Sequence, residues 1–182
     1  MGGILILQGS PRPDGNTARL ARALADGAGS QAEIFSVCAH TIRPCLGCNA
    51  CAAAPGHACV QRDDMPLLYD KLRRMQTLVI ASPVYFYGVS AQLKAAVDRL
   101  HTPLRDAFPL RRTALLLVGA AHRPDLFDAV LAQYRLILSY FGLEDAGRVL
   151  APGCRDAGAV EGSDALRQAF ELGRRLAETE ES

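Results

Sequence analysis

Apolar residues along this chain come in short unbroken runs at 4–7, 77–81 and 114–119, with weaker ones at 32–37 and 148–151. Continuous rather than alternating apolarity marks strands covered on both faces, as in a parallel sheet between helices. Between the runs, apolar positions recur every three or four residues, putting them on one helical face. Thr17, Leu20, Ala21, Leu24 and Ala28 form one such stripe, and Met65, Leu68, Tyr69, Leu72 and Met75 a second. Val89, Leu93, Val97 and Leu100 form a third, and Phe127, Val130, Leu131, Tyr134, Leu138 and Phe141 a fourth. Leu166, Phe170, Gly173 and Ala177 form the last. Gly27 and Gly29 read as stops of the first helix and Gly142 of the fourth. Five strands alternating with helices predict a doubly wound α/β sheet. Residues 38–63 carry no period, and an unpatterned stretch of about 25 residues in a compact domain is more often functional than idle. The tail 178–182 reads as unstructured.

Composition narrows the picture. At 182 residues and 49% hydrophobic, the chain reads as one domain over 1–182 with an adequate core. A net charge of +1 offers no electrostatic reason to bind a nucleic acid. No apolar run approaches the roughly 18 residues of a membrane helix. The stretch 4–7 is too short for a signal peptide and lacks a basic flank, so a cytoplasmic location is expected. Of six cysteines, five lie between Cys38 and Cys59. Such a local cluster in a reducing compartment points to a metal or redox site rather than a disulfide framework.

The first strand–helix turn reads Gly9-Ser10-Pro11-Arg12-Pro13-Asp14-Gly15-Asn16-Thr17. It lies beyond the carboxyl end of a parallel strand, where open α/β sheets bind ligands. Backbone N–H groups at the helix start favour an anion. Ser10, Asn16 and Thr17 add side-chain donors and Arg12 a counter-charge. No Lys precedes the hydroxyl residue as in a Walker A loop, and there is no G-x-G-x-x-G, so a terminal monophosphate suits the turn better than a pyrophosphate. The alternative is a loop that merely caps a helix with Asn16.

Gly9-Ser10-Pro11-Arg12 followed by Gly15-Asn16-Thr17 resembles the FMN-phosphate loop of the flavodoxin-like NAD(P)H-dependent FMN reductase family. A second segment, running from Ser82 through Pro83, Val84, Tyr85, Phe86, Tyr87 and Gly88 to Asp98-Arg99, resembles that family's flavin-ring loop and the helix behind it. The resemblance spans nearly the whole chain. It implies a three-layer, five-stranded parallel sheet of order 2-1-3-4-5 with FMN at its carboxyl edge. Pro83 and Gly88 would shape a tight turn whose free N–H groups meet the ring's N5 and carbonyl oxygens. Tyr85, Phe86 and Tyr87 would supply flat apolar surface, although they cannot all face one ring. A third loop, at Ala120 and His122, would let the ring approach small residues. His40, His57 and His101 sit in no motif.

Cys45, Cys48, Cys51 and Cys59 are spaced C-x2-C-x2-C-x7-C, followed by Asp63-Asp64-Met65. Three thiolates two residues apart can wrap one face of a cubane and a distant fourth can close it. Zinc prefers two separated C-x2-C pairs. The same residues could instead remain reduced thiols or form a redox disulfide. The spacing resembles that of iron–sulfur flavoproteins, a branch carrying a 4Fe–4S cluster beside FMN, and also that of relatives known only as flavoproteins. Cys38 and Cys154 read as ordinary small buried residues.

The resemblance implies an oxidoreductase that passes electrons from NAD(P)H through FMN to a quinone, flavin or other small acceptor. The flavin would carry the chemistry, with no catalytic side chain, in a homodimer or homotetramer. The rivals are an iron–sulfur flavoprotein electron carrier partnered by a ferredoxin, and a non-catalytic flavin-binding regulatory module.

Overall fold

The computed structural model describes residues 3–180. Its strands are β1 (Gly3–Gln8), β2 (Ala32–Ser36), β3 (Met75–Tyr85), β4 (Gly88–Val89), β5 (Arg112–Val118) and β6 (Glu144–Ala151). Its α-helices are α1 (Asn16–Ala28), α2 (Ala50–Ala53), α3 (Met65–Leu72), α4 (Ala91–Arg99), α5 (Asp128–Phe141) and α6 (Asp164–Glu180). Five parallel strands lie in the order β2-β1-β3-β5-β6, the flavodoxin-like succession. The sheet gains a sixth strand that the apolar pattern did not show, because β4 is a two-residue segment folded antiparallel onto the end of β3. For the same reason Val89 belongs to β4 rather than to a helix, and Met75 opens β3.

The apolar runs become strands because both faces are covered. On β5, Ala114, Leu116 and Val118 face the α1–α6 layer, and Leu115 and Leu117 face α5. The edge strand β6 starts at Glu144, earlier than its apolar run, because its first residues are polar and only partly covered. Among the described residues, no helix is long and apolar enough to cross a membrane.

Helices α1 and α6 meet at backbone distance. A Cβ on Gly27 would fall 2.0 Å from the Phe170 carbonyl oxygen, and one on Gly173 would fall 2.0 Å from that of Leu24. Gly27 is therefore interior to α1 and not its stop; Gly29, at φ +61°, follows the helix end. This close approach sets the face of α6, which buries Ala165, Ala169, Leu172 and Leu176 and leaves Phe170 42% exposed. The stripe read from the sequence was rotated by about one position. Helix α6 also runs through Glu180, so 178–180 are helical rather than unstructured, and residues 181–182 lie outside the described residues.

The unpatterned segment closes as a loop on an acidic neck. Asp64 accepts the Thr41 N–H at 2.7 Å and returns its own N–H to the Thr41 carbonyl at 2.9 Å. Asp63 accepts the N–H groups of Arg43 (2.9 Å) and Met65 (3.3 Å). It also pairs with Arg99 at the end of α4, the two side chains being 0% and 3% exposed. Burial alone would raise the Asp63 carboxyl, but the hydrogen bonds from Arg99, Arg43 and Met65 and the Arg99 charge hold it below the ordinary range.

Two outcomes test this packing. Gly173→Ala, read by urea unfolding, should lose at least about 1–3 kcal/mol because a backbone oxygen cannot yield to the methyl group. Asp63→Asn leaves a buried guanidinium uncompensated and should cost about 3–5 kcal/mol. Because the folded carboxyl is depressed, the pair's contribution is full above about pH 4 and is lost as pH falls through the folded value. A pH series of unfolding curves should show that slope in the wild type and lack it in Asp63→Asn. Asp63→Leu with Arg99→Met should recover only part of the loss, since the Arg43 and Met65 amides stay without their acceptor.

Candidate functional site

Strands β1 and β3 are neighbours, and the connections leaving them run in opposite directions, so a crevice opens between their carboxyl ends. The loop after β1 forms one wall. Gly9 donates its N–H to the Ala81 carbonyl (2.9 Å) and accepts the Ser90 hydroxyl (2.6 Å), which ties this loop to the residues that follow β3. Ser90, 0% exposed, also caps α4 by accepting the Leu93 N–H. Ser10 is buried and its hydroxyl bonds only within the turn, to the backbone of Arg12. The N-cap of α1 is Gly15, which offers no capping side chain, so the first amides of the helix stay open toward the crevice. Thr17 is buried at that helix start and Arg12 is exposed beside it.

Asn16 is placed differently from its sequence reading. Its carboxamide donates to the carbonyls of Cys154 (3.2 Å) and Asp156 (2.8 Å) and accepts the Val160 N–H (3.3 Å). Both of that side chain's donors go into anchoring the loop after β6, which leaves only its backbone N–H as a donor to a ligand. Long-range partners of this kind carry no local sequence signal.

The second wall is a hairpin. Tyr85 pairs with Gly88, and the two residues between them, Phe86 (φ 50°) and Tyr87 (φ 65°), both lie at positive φ as in a type I′ turn. Pro83 sits inside β3 and Gly88 inside β4, so the turn is made by two aromatics rather than by Pro83 and Gly88. Bulky side chains at positive φ cost about 1–2 kcal/mol each and such strain concentrates at ligand sites. Phe86 is 98% exposed, and its ring meets Tyr87 edge-on at 6.1 Å. Tyr85 and Tyr87 are also exposed, and Val84 is half-buried.

The third wall follows β5. Ala120 and His122 are exposed, and the loop is stitched to the one after β6 by Gly153 N–H to Ala121 (3.1 Å) and Cys154 N–H to Gly119 (2.9 Å). Gly153, at φ +72°, lies against the His122 ring, where a Cβ would come 2.1 Å from Nε2. The other histidines serve the framework: His40 bonds the Ser36 carbonyl (2.8 Å), His57 the Cys51 carbonyl (3.1 Å) and His101 the Tyr140 hydroxyl (2.9 Å).

The cysteine loop divides its four motif residues. Cys45 and Cys48 are exposed, and Cys45 Sγ accepts the Gly47 N–H at 3.4 Å. Cys51 and Cys59 are half-buried and lie near Tyr69; burial pushes that hydroxyl up to about 12, with Arg99 opposing and the two thiols adding to it. Among the described residues, no three His, Cys, Asp or Glu side chains come close enough to hold a metal ion. The thiols as placed therefore do not form a cluster cage. Asp63, Asp64 and Arg99 hold this loop shut; the sequence marks them only as the Asp-Asp-Met run after the cysteines and the Asp98-Arg99 end of the ring-loop helix, with no signal that they pair. Cys154 is buried as read from the sequence, whereas Cys38 is only half-buried; burial raises both thiols.

Comparison with known proteins agrees with this architecture. The chain is 40% identical over 124 residues to an iron–sulfur flavoprotein of Methanocaldococcus jannaschii, a match covering 65% of this chain and 62% of that protein. It is 30% identical over 182 residues to an iron–sulfur flavoprotein of Archaeoglobus fulgidus, covering 96% of this chain and 78% of that one. The chain thus spans less than two thirds of the length of the first of these relatives. In fold it matches the NAD(P)H:quinone oxidoreductase from Methanothermobacter marburgensis, with a TM-score of 0.74, 17% identity and 96% of each chain covered. The family model described as NADPH-dependent FMN reductase matches residues 3–156, and the chain belongs to that family.

Proposed function

We propose that this protein is an FMN-dependent oxidoreductase that takes electrons from NAD(P)H and passes them to a quinone, a flavin or another small acceptor. The observation that carries the reading is the uncapped start of α1, joined through Gly9 and Ser90 to a strained aromatic hairpin at one end of the sheet. The donor set suits FMN: open helix amides and Thr17 for the phosphate, with Arg12 as counter-charge and Ser10 shaping the turn around it. Val84, Tyr85, Phe86, Tyr87 and Gly88 would hold the ring with Pro83 behind them, and Ala120 and His122 would border its far edge. Held by these residues, FMN would supply hydride acceptance from the nicotinamide and electron donation to the acceptor. The chain's own part is to neutralise the phosphate, fix the ring plane and shield one of its faces. No side chain is assigned a proton-transfer step. The exposure of Phe86 at the tip supports an assembly of two or four copies meeting near this edge.

A second reading, an electron carrier with a 4Fe–4S cluster on Cys45, Cys48, Cys51 and Cys59, is favoured by the cysteine spacing and by the names of the archaeal relatives. Since the four thiols do not converge, no electron step is assigned to them. Iron and acid-labile sulfide on anaerobically purified protein decide it. About four irons per chain would establish the carrier, and a two-banded flavin spectrum without iron would remove it.

Three variants test the main reading by fluorescence titration of FMN. Arg12→Ala should weaken binding about tenfold without changing stability. Asn16→Ala should instead lower stability by about 1–3 kcal/mol, because it orphans the Val160 amide and two carbonyls. Replacing Phe86-Tyr87 with Asn-Gly should stabilise the flavin-free protein by about 1–2 kcal/mol by relieving two positive-φ side chains. The same replacement should weaken FMN binding and slow its bleaching by NAD(P)H under argon. Unchanged affinity in both Arg12→Ala and the hairpin variant would refute the site.

A further inference from the structure

One cavity in the described structure lies against the sheet face that carries Leu115 and Leu117. About 350 Å³ in volume, it lies between α4, α5 and the sheet, walled by Leu78, Leu115, Phe108 and Tyr134. Ligand sites begin at about this size and are mainly apolar with a few placed polar groups. Here one polar group stands out. Thr113, 3% exposed, lines the cavity, and its Oγ1 is buried without a hydrogen-bond partner. Strand alternation puts Thr113 on the same face as Leu115 and Leu117, where a branched aliphatic residue would pack with the same shape. Valine would remove the cost of an unsatisfied buried hydroxyl, so the threonine calls for a partner that the chain does not supply.

Neighbouring groups do not fill that role. The Tyr134 hydroxyl is committed to the Thr113 carbonyl (2.9 Å) and to Asp145 (3.2 Å). A bridging water needs two to four polar contacts, and the polar side chains joined to Thr113, Tyr134 and Asp145, are already bonded to the Thr113 carbonyl, to each other, to the Gly147 N–H and to Arg148. The mouth is polar and aromatic: Arg105 lies 5.3 Å over the ring of Tyr140, whose hydroxyl bonds His101. We propose that this cavity is a binding site for a small neutral ring compound carrying one hydroxyl or carbonyl, its polar group bonded to Thr113 Oγ1 and its rings against the aromatic walls. Thr113 stands five residues before Val118, about 16 Å down β5 from the flavin edge, so this polar contact is separate from those placed on FMN, while the cavity's upper wall reaches Val89 beside the hairpin.

The test uses 2-naphthol, a fluorescent probe, with naphthalene as the control lacking a hydroxyl, titrated into the full chain with and without saturating FMN. The wild type should bind 2-naphthol about tenfold more tightly than naphthalene, one hydrogen bond's worth of discrimination. Thr113→Val, which should fold at least as well, should bind both equally. Val130→Phe, which projects a ring into the cavity, should bind neither while leaving FMN affinity unchanged. Equal binding of both probes by the wild type, an unaffected Thr113→Val, or displacement of 2-naphthol by FMN would overturn the proposal. Exclusion of the probe by a dimer that admits it only on dilution would assign the cavity to a second copy of the chain and overturn it equally. Because the probe is read without FMN as well, failure of the flavin reading would leave this result standing.

Discussion

A single buried ion pair determines how the least regular part of this molecule is held. Asp63 and Arg99 are both removed from solvent, and two charges in that position are tolerated only when each is matched and hydrogen-bonded. Asp63 meets that condition with two backbone amides besides the guanidinium; Arg99 meets it only in part, since Nη1 also bonds the Arg43 carbonyl at 3.3 Å but Nη2 is buried without a partner. The result is a closed neck between 41–43 and 63–65 that ties the cysteine loop to the end of α4. Since Ser90 caps the start of α4, next to the aromatic hairpin, the cysteine loop and the hairpin are mounted on opposite ends of one short helix.

The ligand edge is assembled by the same economy of long-range polar contacts. Ser90 joins the loops after β1 and β3, and Asn16 joins the start of α1 to the loop after β6. Backbone bonds between 119–121 and 151–154 join the last two loops. Four strand ends are thereby linked while the N-terminal amides of α1 remain open, an arrangement that holds a ligand site in shape before any ligand arrives. Strain is confined to the hairpin, where two aromatic side chains occupy positions that glycine or asparagine would fill more easily.

Much of the fold was legible because it follows from short-range rules. Continuous apolar runs could only be strands with both faces covered, and β1, β3 and β5 lie where those runs are. The stripe Thr17, Leu20, Ala21, Leu24 and Ala28 is buried throughout. The errors have a common cause. Phe170 was read as a core position because periodicity alone cannot say which face of α6 is turned inward; the mutual approach of Gly27 and Gly173 decides that. The turn was read from Pro83 and Gly88, the residues that usually make turns, whereas the chain places Phe86 and Tyr87 there. Asn16 looked like a ligand donor because its partners lie about 140 residues away.

The sequence by itself determined the layered α/β architecture and the succession of its five parallel strands, because apolar periodicity acts over a few residues. Tertiary structure decided which side chains at that edge remain free, how the cysteine loop is closed, and that a cavity with an unpartnered hydroxyl lies between α4 and α5. Those outcomes depend on which distant groups share a buried space and compete for the same hydrogen bonds, and no local pattern encodes that competition.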